Sequence, residues 1–133
     1  MTKEYTQMLE CVGHGIWEWN PIGNLISLSP QWVTMLGYEF KDFEQSKDKW
    51  MSLIHPDDLN YCLNELTALL SGRSKHYQHQ HRMLCKDGSY KWVLDQAKVV
   101  AYNPHGYPIK VVGTHTDIND LRTTLEMYKQ QRK

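Results

Sequence analysis

The sequence reads as an α+β domain in which helices cover one face of a five-stranded antiparallel sheet. Three observations carry this reading. Residues 76–116 hold three long strand-like runs separated by two tight turns. A shorter hairpin pattern, 16–19 and 25–28, precedes them. Between the two, residues 56–70 repeat apolar side chains at helical spacing. A long meander cannot stand with both faces wet, so the intervening helices are expected to lie across it.

Taken in order, residues 3–12 predict a short amphipathic helix with Tyr5, Met8, Leu9 and Val12 on one face. Gly13-His14-Gly15 breaks it. The strand 16–19, the turn 20–24 (Asn-Pro-Ile-Gly-Asn) and the strand 25–28 form the first hairpin. Ser29-Pro30 then pairs a hydroxyl cap with proline at the first helical position. Trp32, Val33, Met35 and Leu36 give that helix its apolar face, and Gly37 ends it. Residues 38–50 carry Phe40, Phe43 and Trp50 among charges and predict one or two short helical turns. The main helix starts at His55-Pro56-Asp57-Asp58, with proline where its missing N–H costs nothing and two carboxylates at the positive end of the helix dipole. Leu59, Cys62, Leu63, Leu66 and Leu70 form its stripe, and Ser71-Gly72 ends it.

The three long strands follow. Asp87-Gly88 in the first turn is a hairpin signal, read as a turn with both residues at positive φ. Asn103-Pro104-His105-Gly106 predicts a bulged hairpin closed by a left-handed Gly106. Asp117 is expected to cap a last helix. There Ile118, Leu121, Leu125 and Tyr128 recur at spacings of three, four and three, the seam pattern of a coiled coil. The pattern is still running at Gln130-Gln131-Arg132-Lys133, so the chain is expected to be one piece of a longer protein, ending inside a connecting helix. The division is a single domain over 1–133: a core of about 12–118, an N-terminal helix over 1–11 and a linker helix over 117–133.

Composition narrows the function. Fifteen basic and 15 acidic side chains balance in 133 residues, which removes the electrostatic case for nucleic acid. No apolar run approaches the roughly 20 residues of a membrane span, and no signal-peptide core follows Met1. A cytoplasmic location is the expectation. Cys11, Cys62 and Cys85 lie far apart and form no CxxC pair, so they are expected to be free thiols, with Cys62 packed inertly on its helix.

Four stretches together carry a resemblance. Residues 15–20 (Gly-Ile-Trp-Glu-Trp-Asn), 35–38 (Met-Leu-Gly-Tyr), 54–58 (Ile-His-Pro-Asp-Asp), and 86–92 (Lys-Asp-Gly-Ser-Tyr-Lys-Trp) followed by 113–118 (Gly-Thr-His-Thr-Asp-Ile) resemble the PAS domain family with its C-terminal PAC segment. The match runs in order from about Val12 to Leu121. It departs from the usual Asp-Ile-Thr ending in having Asn119 at the third place. The resemblance implies a non-enzymatic sensory module in a larger signalling protein of the histidine kinase or diguanylate cyclase type. It implies a cavity between sheet and long helix, for which Trp32, Met35, Trp50, Ile54, Leu63 and Leu66 are the candidate lining. It also implies that Asp117, Ile118, Leu121 and Leu125 transmit a change to a C-terminal effector. A homodimer is the expected assembly, and a ligand-free dimerisation module is the alternative.

No histidine stands in residues 57–72, where haem-binding relatives place the axial ligand, which disfavours haem. The Asn-Cys-Arg-Phe-Leu-Gln sequence of flavin photoreceptors is absent, which disfavours a covalent flavin adduct. The cofactor is left unassigned, with a noncovalent small ligand compatible. His79 and His81 alternate onto one strand face near His76, and such a pair can chelate. With no carboxylate or thiol at an evident third position, they are expected on a solvated face, and no metal site is expected. Asp57 and Asp58 are explained by the helix dipole, His55 by the helix start, and no GxSxG elbow or phosphate loop is present, so no catalytic residue is assigned.

Overall fold

The computed structural model describes residues 3–131, without the side chains of Lys3, Tyr5 and Thr6. The expectations for Tyr5, Arg132 and Lys133 therefore lie outside the described residues. The elements run α1 (Lys3–Cys11), β1 (His14–Asn20), β2 (Leu25–Leu28), α2 (Pro30–Thr34), a 3-10 turn (Phe40–Asp42), α3 (Lys47–Leu53), α4 (Pro56–Leu70), β3 (Tyr77–Leu84), β4 (Tyr90–Tyr102), β5 (Pro108–Asp117) and α5 (Asn119–Gln131). The strands form one antiparallel sheet in the order β2-β1-β5-β4-β3. The two hairpins thus meet through β1 and β5, the first and last strands of the chain.

Local chemistry sets the element ends. Ser29 Oγ accepts from Trp32 N, and Pro30 opens α2. His55 Nδ1 accepts from Asp57 N at the start of α4. The turn after β3 differs from expectation. Only Gly88 has positive φ (91°), while Cys85 N–H donates to Ser89 O and Gly88 N–H to Cys85 O. This is a type I turn closed by a left-handed glycine, not a turn with two left-handed residues. Asn103–Tyr107 repeats it, with Gly106 at φ 84°. Both long turns add the same bulge residue, and this fixes which strand residues share a face.

α2, α3 and α4 cover one face. Between them and the sheet lie Trp17, Trp19, Trp32, Trp50, Leu66, Met83, Val93 and Val111, all buried. On α4 the buried stripe is Cys62, Leu66 and Leu69, with Leu59, Leu63 and Leu70 half-buried beside it.

The first turn of α4 is tied to the edge strand by charge. Asp58 accepts from Arg82 N (2.9 Å), Nε (3.0 Å) and Nη2 (2.8 Å). This bonding holds the Asp58 carboxyl below its ordinary range. Replacing Asp58 with Ala is expected to cost about 1–3 kcal/mol, as for hydrogen bonds to a charged group. Because the folded-state value is depressed, the stabilisation is complete above the ordinary carboxylate range and disappears as pH falls through the lowered one. Urea melts of wild type and variant should converge in strong acid and separate above about pH 4 to 5.

Candidate functional site

The sheet's inner face carries a buried polar cluster. β3 alternates inward Tyr77, His79, His81 and Met83 with outward Gln78, Gln80 and Arg82. Register then aligns His79 with Asp95 on β4, and Asp95 with His115 on β5. His81 lies one inward position further along β3. His79, His81, Asp95 and His115 are 4%, 0%, 1% and 1% exposed, respectively.

These four side chains lie among aromatic rings. Trp17 Nε1–H donates to Asp95 Oδ1 at 3.0 Å, and the Tyr77 hydroxyl lies 3.5 Å from Oδ2. His115 Nε2 is 3.2 Å from the same Oδ2. The Trp32 ring stacks on His115 at 4.9 Å, and His79 sits edge-on to Tyr77 at 4.6 Å. Two glycines admit the tryptophans. A Cβ on Gly113 would lie 2.4 Å from the Trp17 ring, and one on Gly15 would lie 2.5 Å from Trp32 Cα. Glycine at 113 lets the indole lie across β5 and reach β4. Glycine at 15 lets α2 come down onto His115.

Electrostatics follow from burial. Burial opposes ionisation of Asp95, but the surrounding histidines, His115 foremost, outweigh it and hold the carboxyl below its ordinary range. Burial pushes His81 down to about 3 and lowers His79 as well, so both imidazoles are neutral at neutral pH. Burial also raises the Cys62 thiol to about 12, with Asp95 adding to the rise. His81 Nδ1 lies 3.4 Å from His79 Nδ1. The Nε2 atoms of His79 and His81 and both ring nitrogens of His115 are buried without a hydrogen-bond partner. The His115–Asp95 contact is therefore close in distance but not directed as an N–H···O bond. Two triads, Cys62-His79-His81 and His81-Asp95-His115, bring their donor atoms within 4.8 Å of one another.

The expectation of a solvated face for His79 and His81 is corrected here. They share their face with Tyr77 and Met83, which are buried. The alternation Tyr77, His79, His81, Met83 against Gln78, Gln80, Arg82 was the available signal. Asp95 and His115 were missed because only strand register brings them together. Cys62 is buried as expected, but it faces imidazoles as well as apolar groups.

Of the expected cavity residues, Trp32, Trp50 and Leu66 line one space, together with Trp17, Trp19, Leu28 and Tyr77. That space is about 20 Å³, room for about one water molecule. Met35 instead borders a surface groove beside Gly37 and Lys86. Ile54 is buried against Met83 through an isolated bridge, and Leu63 is half-buried on α4.

The expected transmission residues lie at the end of β5. Asp117 Oδ1 accepts from Asn119 N at 2.9 Å, and its Oδ2 lies 3.1 Å from Lys91 Nζ. Ile118 is buried, and its N–H donates to Trp92 O. Leu121, Leu125 and Tyr128 are exposed.

A family profile described as the PAS fold matches residues 25–115. The chain belongs to the PAS-fold family. A sensory box histidine kinase/response regulator from Burkholderia thailandensis superposes with a TM-score of 0.82 at 25% identity, covering 98% of this chain and 95% of that one. The N-terminal domain of a diguanylate cyclase with PAS/PAC sensor from Marinobacter aquaeolei shares the fold, with a TM-score of 0.71 at 23% identity over 82% of this chain and 98% of that one. Among curated proteins, the methyl sulfide methyltransferase-associated sensor of Methanosarcina acetivorans is 25% identical over 76% of this chain. The probable diguanylate cyclase DgcE of Escherichia coli is 26% identical over 85% of it. This PAS chain spans only 10% and 11% of those two proteins. No helix among the described residues is long and apolar enough to cross a membrane.

The Trp17–Asp95 bond can be tested alone. Trp17→Phe keeps a ring over Gly113 but removes the donor from a buried carboxylate. A loss of about 1–3 kcal/mol beyond the packing change is expected, measured by denaturant unfolding.

Proposed function

We propose that this PAS domain is a non-enzymatic regulatory sensor within a larger signalling protein of the histidine kinase or diguanylate cyclase type. A change at the buried His79-His81-Asp95-His115 cluster biases the packing of α5 and so the effector beyond it. The observation that carries this reading is continuity. His115, inside the cluster, stands two residues before Asp117 and three before Ile118, where β5 passes directly into α5.

A second route supports it. Arg82, held by Asp58 of α4, lies 5.2 Å from the Trp92 ring centre, and Arg122 of α5 lies 3.7 Å from it. Arg122 also donates to Gln80 Oε1 at 2.6 Å. α4, the edge strand and α5 are thus linked by charged groups around one indole. A packed junction with two arrangements is what a sensor needs to bias.

The exposed Leu121 and Leu125, spaced with Ile118 and Tyr128 as a heptad seam, favour pairing of α5 with a second copy of the chain. The small inner cavity favours the second reading, a dimerisation module without an organic ligand.

Asp117→Ala should leave the domain folded, cost about 1 kcal/mol as for a lost cap, and change effector output in the full-length protein. Unchanged output would remove the junction from the mechanism. Leu121→Asp with Leu125→Asp should convert a dimer to monomer in light scattering without altering the circular dichroism of the sheet.

A further inference from the structure

Four imidazole nitrogens in the inner cluster lack partners although they are fully shielded from water. Buried polar groups left without partners are costly, and native interiors rarely tolerate several together. The donors converge. His81 on β3, Asp95 on β4 and His115 on β5 offer two imidazole nitrogens and a carboxylate oxygen within 4.8 Å of one another. Around a tetrahedral metal with bonds near 2.0–2.1 Å, ligand atoms stand roughly 3.3 Å apart.

We propose that His81, Asp95 and His115 bind one divalent transition-metal ion of the zinc or ferrous class. Two imidazoles and one carboxylate suit those metals and are poorly matched to Mg2+ or Ca2+, which take oxygen ligands. The outer supports of a metal site are also present. Trp17 Nε1–H holds the carboxylate oxygen Oδ1, and Trp32 stacks on His115, fixing both donors in orientation. Trp17, Trp32 and Tyr77 also line the small cavity, whose wall includes half-buried Ile26 and Lys47. Cys62 and His79 flank His81 on the side of α4 and form the competing donor set.

The site deepens the sensory reading by naming its ligand class, and it rests on that reading only for the meaning of occupancy. Binding is read on the chain itself and output in the full-length protein, so either can fail without the other.

The test is titration of the chelator-treated chain with Zn2+ by calorimetry and with Co2+ by visible absorption. One equivalent should bind, raise the melting temperature and give the ligand-field bands of a low-coordinate cobalt site. Asp95→Asn, which keeps size and shape, and His115→Gln should each weaken binding by more than about 100-fold, since even changes to a ligand's supporting residues cost 10–100-fold. Should either variant fail to fold, paramagnetic broadening by Co2+ in the wild-type chain decides. Loss of the His81 and His115 ring signals supports the site, and broadening centred on His14, His55, His76 or His105 overturns it. No binding by the folded wild type also overturns it. So does binding that survives both substitutions with a strong thiolate-to-cobalt charge-transfer band, which would move the ion to Cys62, His79 and His81.

Discussion

The structure depends on one buried carboxylate. Asp95 lies at the middle of the central hairpin, shielded from water, and a charge there is tolerated only where polar groups meet it. Trp17 reaches it from two strands away, and His115 and Tyr77 approach from either side. That need explains features which apolar packing alone would not require. Gly113 keeps the indole's path clear, and Gly15 lets Trp32 settle onto His115. Register across β3, β4 and β5 is held because a slip of one residue would turn Asp95 and its histidines outward.

The same arrangement places the cluster beside the exit from the sheet. Within three residues β5 goes from a buried imidazole to a carboxylate that bonds the start of α5 and a buried isoleucine that anchors it. Lys91 joins this junction to the end of α2, since its ammonium donates to Met35 O and contacts Asp117. Around the opposite edge, Arg82 and Arg122 flank Trp92. The helix that leaves the domain is therefore held at its first turns and exposed further along. Small changes at the base of such a helix are carried along its length as rotation or tilt.

Much of this fold was legible because its signals are local. Ser29-Pro30 and His55-Pro56-Asp57-Asp58 announce helix starts by capping chemistry, and both helices begin there. Asp87-Gly88 and Asn103–Gly106 announce the hairpins, although the first turn uses only one left-handed residue. Leu121 and Leu125, which recur at seam spacing in the sequence, are exposed. The inner cluster was less legible. Two histidines in a strand look solvated unless their neighbours at every second position, Tyr77 and Met83, are weighed with them. Asp95 and His115 have sequence neighbours that suggest nothing, and only turn geometry and cross-strand register bring them to His79 and His81. Trp32, Trp50 and Leu66 face one space of about 20 Å³, which Trp17, Trp19 and Tyr77 also line.

The central claim is that the state of the buried cluster reaches α5 through β5. Amide hydrogen exchange, compared between the wild-type chain and Asp95→Asn, tests it most directly. Altered protection is expected at residues 113–118 and in the first turns of α5, as well as around Asp95 itself. Changes confined to β3 and β4, with the end of β5 and α5 exchanging as in wild type, would contradict it.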